Sequence, residues 1–250
     1  EDARNIARLA EEGSPVVLMG AGFIGCIILQ SLISRGVKLT VVEMEDRMAP
    51  KMMNDTAAAL LKSWCQDKGV SIKTGIGVSK VAPADGGGLT VHLSQGSPVP
   101  AALVVVATGV QSNTGFLKGS GIKVKDGVVV DDHLQSSVDG IYAAGDAAET
   151  SGLPLTPVAS LEGQVVAQNL LHGNTTQPNY ARTPAVAFTL PPIAAVGLTE
   201  HEARHQGLTF RVNFHDTSGW YSARRVGEKH AASKVLVEEG TDRILGAHLL

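Results

Sequence analysis

The 250-residue chain predicts an α/β fold built on a doubly wound parallel sheet, and three stretches carry that expectation. "PVVLMGAGFIGCIILQ" sets a short apolar strand, a glycine-rich bend and an apolar helix in succession, and "KLTVVE" repeats the strand and ends on an acid. "AALVVVATG" is apolar almost throughout, as a strand covered on both faces of a parallel sheet must be. Composition fits a packed globular protein, with 44% hydrophobic and 18% charged residues. A formal charge of −3 and a pI near 6.3 leave no basic surface on average, which argues against nucleic acid as a partner. The two cysteines, Cys26 and Cys65, are too far apart for a CxxC motif and too few for a disulfide scaffold, so both are expected in the core of a cytoplasmic protein.

Taken in order, the apolar run from Val16 to Leu29 is 14 residues long, short of the roughly 20 a spanning helix needs, and Gly20, Gly22 and Gly25 weaken it further as a membrane segment. Glu11 and Glu12 precede it where a signal peptide carries basic residues. A strand, a bend and a helix remain. The helix carries Ile24, Ile27, Ile28 and Leu32 at helical spacing and ends at Gly36. In such a unit Gly20 permits the tight turn, Gly22 lets a diphosphate approach the backbone, and Gly25 lets the helix pack on the strand. The amides at the helix start face the anion. Glu43, 18 residues after Gly25, stands where a carboxylate accepts hydrogen bonds from the adenosine ribose. An acid there repels a 2′-phosphate, so NAD is expected over NADP, with Arg47 and Lys51 close by. "TAAALLKSWCQDKG" predicts a helix closed by Gly69, "VSIKTG" a strand, and Val78 to Leu93 two strands around "PADGGG". Residues 1–112 are thus expected to form a Rossmann-type NAD-binding domain.

With "GAGFIG" and Glu43, "VVVATGVQSNTGFL", "GIYAAGDAAE", "LTPVASLEGQVVAQNL" and "AFTLPPIAAVGLTEHEA" in this order, the chain resembles the pyridine nucleotide-disulfide oxidoreductases and their flavin-dependent relatives over nearly its whole length. The resemblance implies a return segment of an FAD-binding domain over residues 113–175 and the start of an α+β dimerisation domain over 176–250. It implies nucleotide contacts from Gly20, Ala21, Gly22, Phe23, Ile24, Gly25, Glu43, Met44 and Arg47, and from the bend Ala107, Thr108, Gly109. It implies FAD contacts from Gly145 and Asp146, whose carboxylate meets the ribityl chain, and from the helix start Thr156, Pro157, Val158, whose positive end favours negative charge on the reduced ring. Phe23 takes the place often held by a tyrosine that gates the nicotinamide pocket. Ile27 stands where many disulfide reductases carry a glutamate. The implied activity is hydride transfer from NADH to flavin and on to a disulfide or an electron carrier, small molecule or redox protein, in a homodimeric parent.

The chain begins at Glu1 and ends in "RILGAHLL", which looks like a strand short of its partner, so a piece of a longer protein is expected. The family's first flavin motif and redox cysteines would precede it, and its active-site histidine would follow. The residues also admit two rival functions: a nucleotide-responsive binding module without turnover, and a zinc hydrolase using His201, Glu202 and His205 in "HEARH". Thr199 and Glu202 also spell a capping box at the start of a short helix; that explanation is preferred, and no metal is expected. Trp220, Arg224, Arg225 and Lys229 are expected on a solvated face or dimer rim, and His92, His172 and His215 at the surface.

Overall fold

The computed structural model describes residues 2–50, 53–181, 183–187, 189 and 191–250; Lys51 lies outside them. The chain divides into two compact units, residues 1–109 with 185–250, and residues 110–184.

The first unit begins with α1 (Asp2–Leu9), β1 (Pro15–Met19), α2 (Phe23–Ser34), β2 (Lys38–Val42), α3 (Asp55–Asp67) and β3 (Ser71–Lys73). It continues through β4 (Val78–Pro83), β5 (Leu89–Leu93), β6 (Val99–Ala101) and β7 (Leu103–Val106). The parallel sheet runs β3-β2-β1-β7, with Val17 opposite Thr40 on one side and Val104 on the other. Alternation along β1 sends Val16 and Leu18 to one face and Val17 to the other. On the first face these residues meet α2 and α3 through Cys26, Leu29, Leu32, Leu61 and Trp64. On the second, Val17 and Val42 meet Val91 and Ala101 of the antiparallel sheet β4-β5-β6. The parallel sheet is therefore covered on both faces, by helices on one and by a β-meander on the other. The run expected as one strand divides at Ala102: β6 closes the meander, and β7 enters the parallel sheet beside β1.

The second unit holds β8 (Val128–Val129), β9 (Ala148–Glu149) and α4 (Thr156–His172). The two strands pair in parallel, and a 3₁₀ turn over Gly145–Ala147 leads into β9. Helix α4 starts with proline in its first turn, where a missing N–H costs nothing, and ends at Gly173 with φ +78°. Its buried stripe is Val158, Glu162, Val165 and Asn169, half of it polar.

The chain then returns to the first unit with β10 (Ala185–Ala187), β11 (Ile193–Gly197), α5 (Glu200–His205), β12 (Phe210–Asp216), α6 (Tyr221–Val226), β13 (Ala232–Glu238) and β14 (Ile244–Leu249). They form an antiparallel sheet ordered β10-β11-β14-β13-β12. Ala187 and Ile193 join the same core as α2 and α3. The expectation that "RILGAHLL" lacks a partner is corrected here: β14 is an interior strand, hydrogen-bonded to β11 on one side and β13 on the other.

Candidate functional site

The three glycines of the bend are distinguished by what a Cβ would meet. Gly20 has φ +93°, and a Cβ on it would lie 2.5 Å from the Ala107 carbonyl oxygen; on Gly25 it would lie 2.1 Å from the Gly20 carbonyl oxygen. These two glycines are required for close packing of turn, helix and the Ala107–Gly109 bend. Gly22 differs: its φ is −74°, and nothing lies within 4 Å of a Cβ there. Space is left beside the backbone at the point where α2 begins, and no side chain caps that helix start. Its first amides are unmatched donors next to an open cradle, which is what a diphosphate requires.

Glu43 leaves β2 directly beneath this bend. Its carboxylate is buried, and Oε2 accepts from the Ala21 amide at 2.6 Å while Oε1 accepts from the Glu45 amide at 2.9 Å. The acid and the bend predicted to act together are thus brought into direct contact. Ala21 is fully buried; its amide is spent on Glu43, and its carbonyl accepts from the Ala49 amide at 2.8 Å and the Cys26 thiol at 3.2 Å. Ala21 serves the bend from within. A carboxylate offers about four acceptor positions, so two remain for hydroxyl donors.

Around this centre, Met44 and Ile24 are exposed, and Phe23 is half-buried with its ring against the core. Arg47 does not face open solvent with its full guanidinium: Nη1 lies 3.0 Å from Asp46 Oδ1 and 3.3 Å from Asp55 Oδ1, and Nε donates to the Met53 carbonyl at 3.2 Å. Thr108 and Gly109, the latter at φ +130°, are exposed next to the turn. Cys26 and Cys65 are both buried, and burial pushes each thiol up to about 12.

In the second unit Gly145 takes φ +65°, and a Cβ on it would fall 2.9 Å from the Ala159 Cβ. Asp146 is exposed at the turn, and its carbonyl accepts from Ser112 Oγ at 2.6 Å. Thr156 and Pro157 are exposed at the start of α4, which has no side-chain cap; the Val158 side chain is buried, leaving only its amide at that end. Glu149, three residues beyond Asp146, pairs with Lys125 through Oε1 at 2.7 Å, while Oε2 is buried without a donor. The exposed Asp146 carboxylate and the unmatched first amides of α4 are the acceptor and donors that a polyhydroxylated chain joined to a polar ring calls for.

Sequence reasoning missed what holds the Gly145–Asp146 turn. Glu162, fully buried on α4, accepts from the Gly145 amide at 2.6 Å, from Thr150 Oγ1 at 2.9 Å and from the Tyr180 hydroxyl at 2.6 Å. Burial and the bond to Glu162 push Tyr180 up to about 12. The available signal was Glu162 itself, a charge four residues after Val158 on the helix's apolar stripe.

"HEARH" resolves into a helix start. Thr199 Oγ1 accepts from the Glu202 amide at 3.2 Å, and Glu202 Oε2 accepts from the Thr199 amide at 2.7 Å and its hydroxyl at 2.8 Å. Those bonds hold the Glu202 carboxyl below its usual range. His201 and His205 stack with ring centroids 6.5 Å apart, and among the described residues no three metal-ligating side chains converge. The zinc-hydrolase alternative loses its general base to the cap. Trp220, Arg224, Arg225 and Lys229 are exposed at the N-cap of α6, along it and just after it. Among the described residues no helix is long and apolar enough to cross a membrane.

Comparison with known proteins shows the family of the chain. The family model described as pyridine nucleotide-disulphide oxidoreductase matches residues 1–163, and the dimerisation domain of the same family matches residues 183–250. Mycothione reductase of Mycobacterium tuberculosis is 32% identical over 253 residues, covering 98% of this chain and 54% of that protein. Mercuric reductase of Staphylococcus aureus is 29% identical over 249 residues, covering 97% and 45%. The structure of a NAD-dependent persulfide reductase from A. fulgidus superposes with a TM-score of 0.80 at 29% identity, covering 99% of this chain and 47% of that one. The chain spans about half the length of these relatives. On these matches, and on the motifs that carry them, the chain belongs to the pyridine nucleotide-disulphide oxidoreductase family.

Proposed function

We propose that this protein binds NADH at the glycine-rich bend and FAD beside Asp146, and supports hydride transfer from the nicotinamide to the flavin, with electrons passing on to a disulfide-type or electron-carrier acceptor. The observation that carries the reading is the open cradle at Gly22, flanked by uncapped α2 amides and by the Glu43 carboxylate. The α2 amides hold the diphosphate, and the two free acceptor positions of Glu43 take the ribose hydroxyls. The buried Glu43 also disfavours a 2′-phosphate, and Arg47 is already paired, which supports NADH over NADPH. Met44, Ile24 and the Thr108–Gly109 bend line the approach, with Phe23 flanking the nicotinamide.

FAD, when bound, supplies the hydride acceptor. On the protein side, Asp146 accepts from its hydroxyls, the Gly145 turn is fixed by Glu162, and the amides of Thr156 and Val158 at the start of α4 stabilise negative charge at the polar ring edge. No side chain of this chain has to move a proton in that half-reaction. The mycothione reductase and the NAD-dependent persulfide reductase among the relatives support a sulfur-linked acceptor, and the dimerisation-domain match supports a homodimer.

Isothermal titration with NADH and NADPH tests the nucleotide assignment. NADH is expected to bind about tenfold more tightly, a difference of about 1.4 kcal/mol. Equal affinities would remove Glu43 from its role.

A further inference from the structure

We propose that Asp46 and Asp55 are specificity-determining residues, which keep NADPH out by holding the guanidinium of Arg47 away from the ribose 2′-position. The inference rests on the reading that a nicotinamide nucleotide lies against Glu43, and it adds a cause for the choice between the two nucleotides.

An arginine on the loop after β2 would ordinarily count against NADH preference. A guanidinium is a fork of five N–H donors suited to phosphate, and Arg47 is four residues from Glu43 on a loop that the Glu43–Glu45 bond draws close to the strand end. Each edge of the fork that could grip a phosphate with two bonds, Nε with Nη2 or Nη1 with Nη2, has one nitrogen already committed. Nη1 is shared between Asp46 at 3.0 Å and Asp55 at 3.3 Å, and Nε donates to the Met53 carbonyl at 3.2 Å. Asp55 is positioned for this as the first residue of α3, where the Asn54 side chain accepts from the Ala57 amide at 3.0 Å and fixes the helix start. Two carboxylates on one guanidinium leave that group of three with a formal charge of −1, and Glu43 adds another beside it. A 2′-phosphate brings a charge of about −1.5 to −2 and meets repulsion where a free arginine would have offered a bidentate partner.

The acids are suited to a clean test because their side chains are 77% and 91% exposed and pack in no core. Asp→Asn keeps the shape and removes the charge. Affinities for NADH and NADPH are measured by titration calorimetry in the wild type, in Asp46→Asn/Asp55→Asn, and in that double variant with Arg47→Ala added. The double variant is expected to bind NADPH about fivefold more tightly with NADH changed less than about twofold, and Arg47→Ala is expected to abolish the gain. The gain is also expected to shrink as salt is raised. An unchanged NADPH affinity in a double variant that still binds NADH overturns the inference, as does a gain that survives loss of Arg47. A wild-type protein that binds neither nucleotide overturns the underlying assignment, and this inference with it.

Discussion

Gly25 and Gly22 lie three residues apart on the same bend, yet their substitutions are expected to act through different physics. A Cβ at Gly25 would sit 2.1 Å from the Gly20 carbonyl oxygen, a backbone atom that cannot swing aside. Gly25→Ala is therefore expected to cost about 3 kcal/mol or more, read as a lowered unfolding midpoint in urea, because overpacking against backbone forces the helix off the strand. At the residue scale the glycine spacing and the acid 18 residues later mark the bend and Glu43 in the sequence alone, and the structure joins the two through the Ala21 amide. Other residues were not legible there. Ala49 holds Ala21 from a left-handed backbone, φ +46°, and alanine carries no sign of that conformation. Glu162 was visible as a charge on an apolar stripe, but its three donors come from Gly145, Thr150 and Tyr180, whose convergence is tertiary. The pairing of Arg47 with Asp55 likewise depends on where α3 starts relative to the loop.

Among the elements, β1, α2, β2 and α3 followed from periodicity and stop signals, since each has a clear apolar pattern and a glycine or cap at its end. Strand β12 and helix α6 went unassigned: "FRVNFHD" alternates apolar and polar residues as a half-buried strand does, so its signal was present, whereas "YSARRV" is too short for a helical period to register. The division of "AALVVVATG" at Ala102 was hidden for the opposite reason: an unbroken apolar run contains no marker of where one sheet ends and another begins. Helix α4 is tied to the segment after it by the Tyr180–Glu162 bond, and this tie has a pH signature. An unfolded tyrosine loses its proton near its ordinary 10.0, while folded Tyr180 keeps its own to about 12. The unfolded state binds fewer protons in that window, so the stabilisation is complete below pH 10 and is lost as pH rises toward 12. Denaturant unfolding followed over this range is expected to show that loss in the wild type and a smaller one in Tyr180→Phe, which also gives up about 1 kcal/mol at neutral pH with its hydrogen bond. Identical alkaline slopes in the two proteins would remove Tyr180 from the network.

Across the whole molecule, one apolar core joins the parallel sheet, α2 and α3 with β10 and β11 of the C-terminal sheet, while residues 110–184 form a unit of their own. The α/β class and the parallel sheet were legible because they follow from local patterns repeated along the chain. Return of the chain to the first unit after residue 184 was not, since no local signal records which core a late strand will join. The placement of β14 between two neighbours is another such case. What the assembled unit contributes to function is rigidity at one point: turn, helix start and acid are each fixed by backbone contacts, and the only unfilled volume among the three glycines is at Gly22. Gly22→Ala therefore tests the account most directly, by reading stability and affinity in the same sample. With open space around the new methyl and an ordinary φ, the unfolding free energy is expected to stay within about 0.5 kcal/mol of wild type. The NADH dissociation constant is expected to rise about tenfold or more, because the methyl occupies the room the diphosphate needs. A Gly22→Ala protein that binds NADH as tightly as the wild type would contradict the assignment of this bend as the nucleotide cradle.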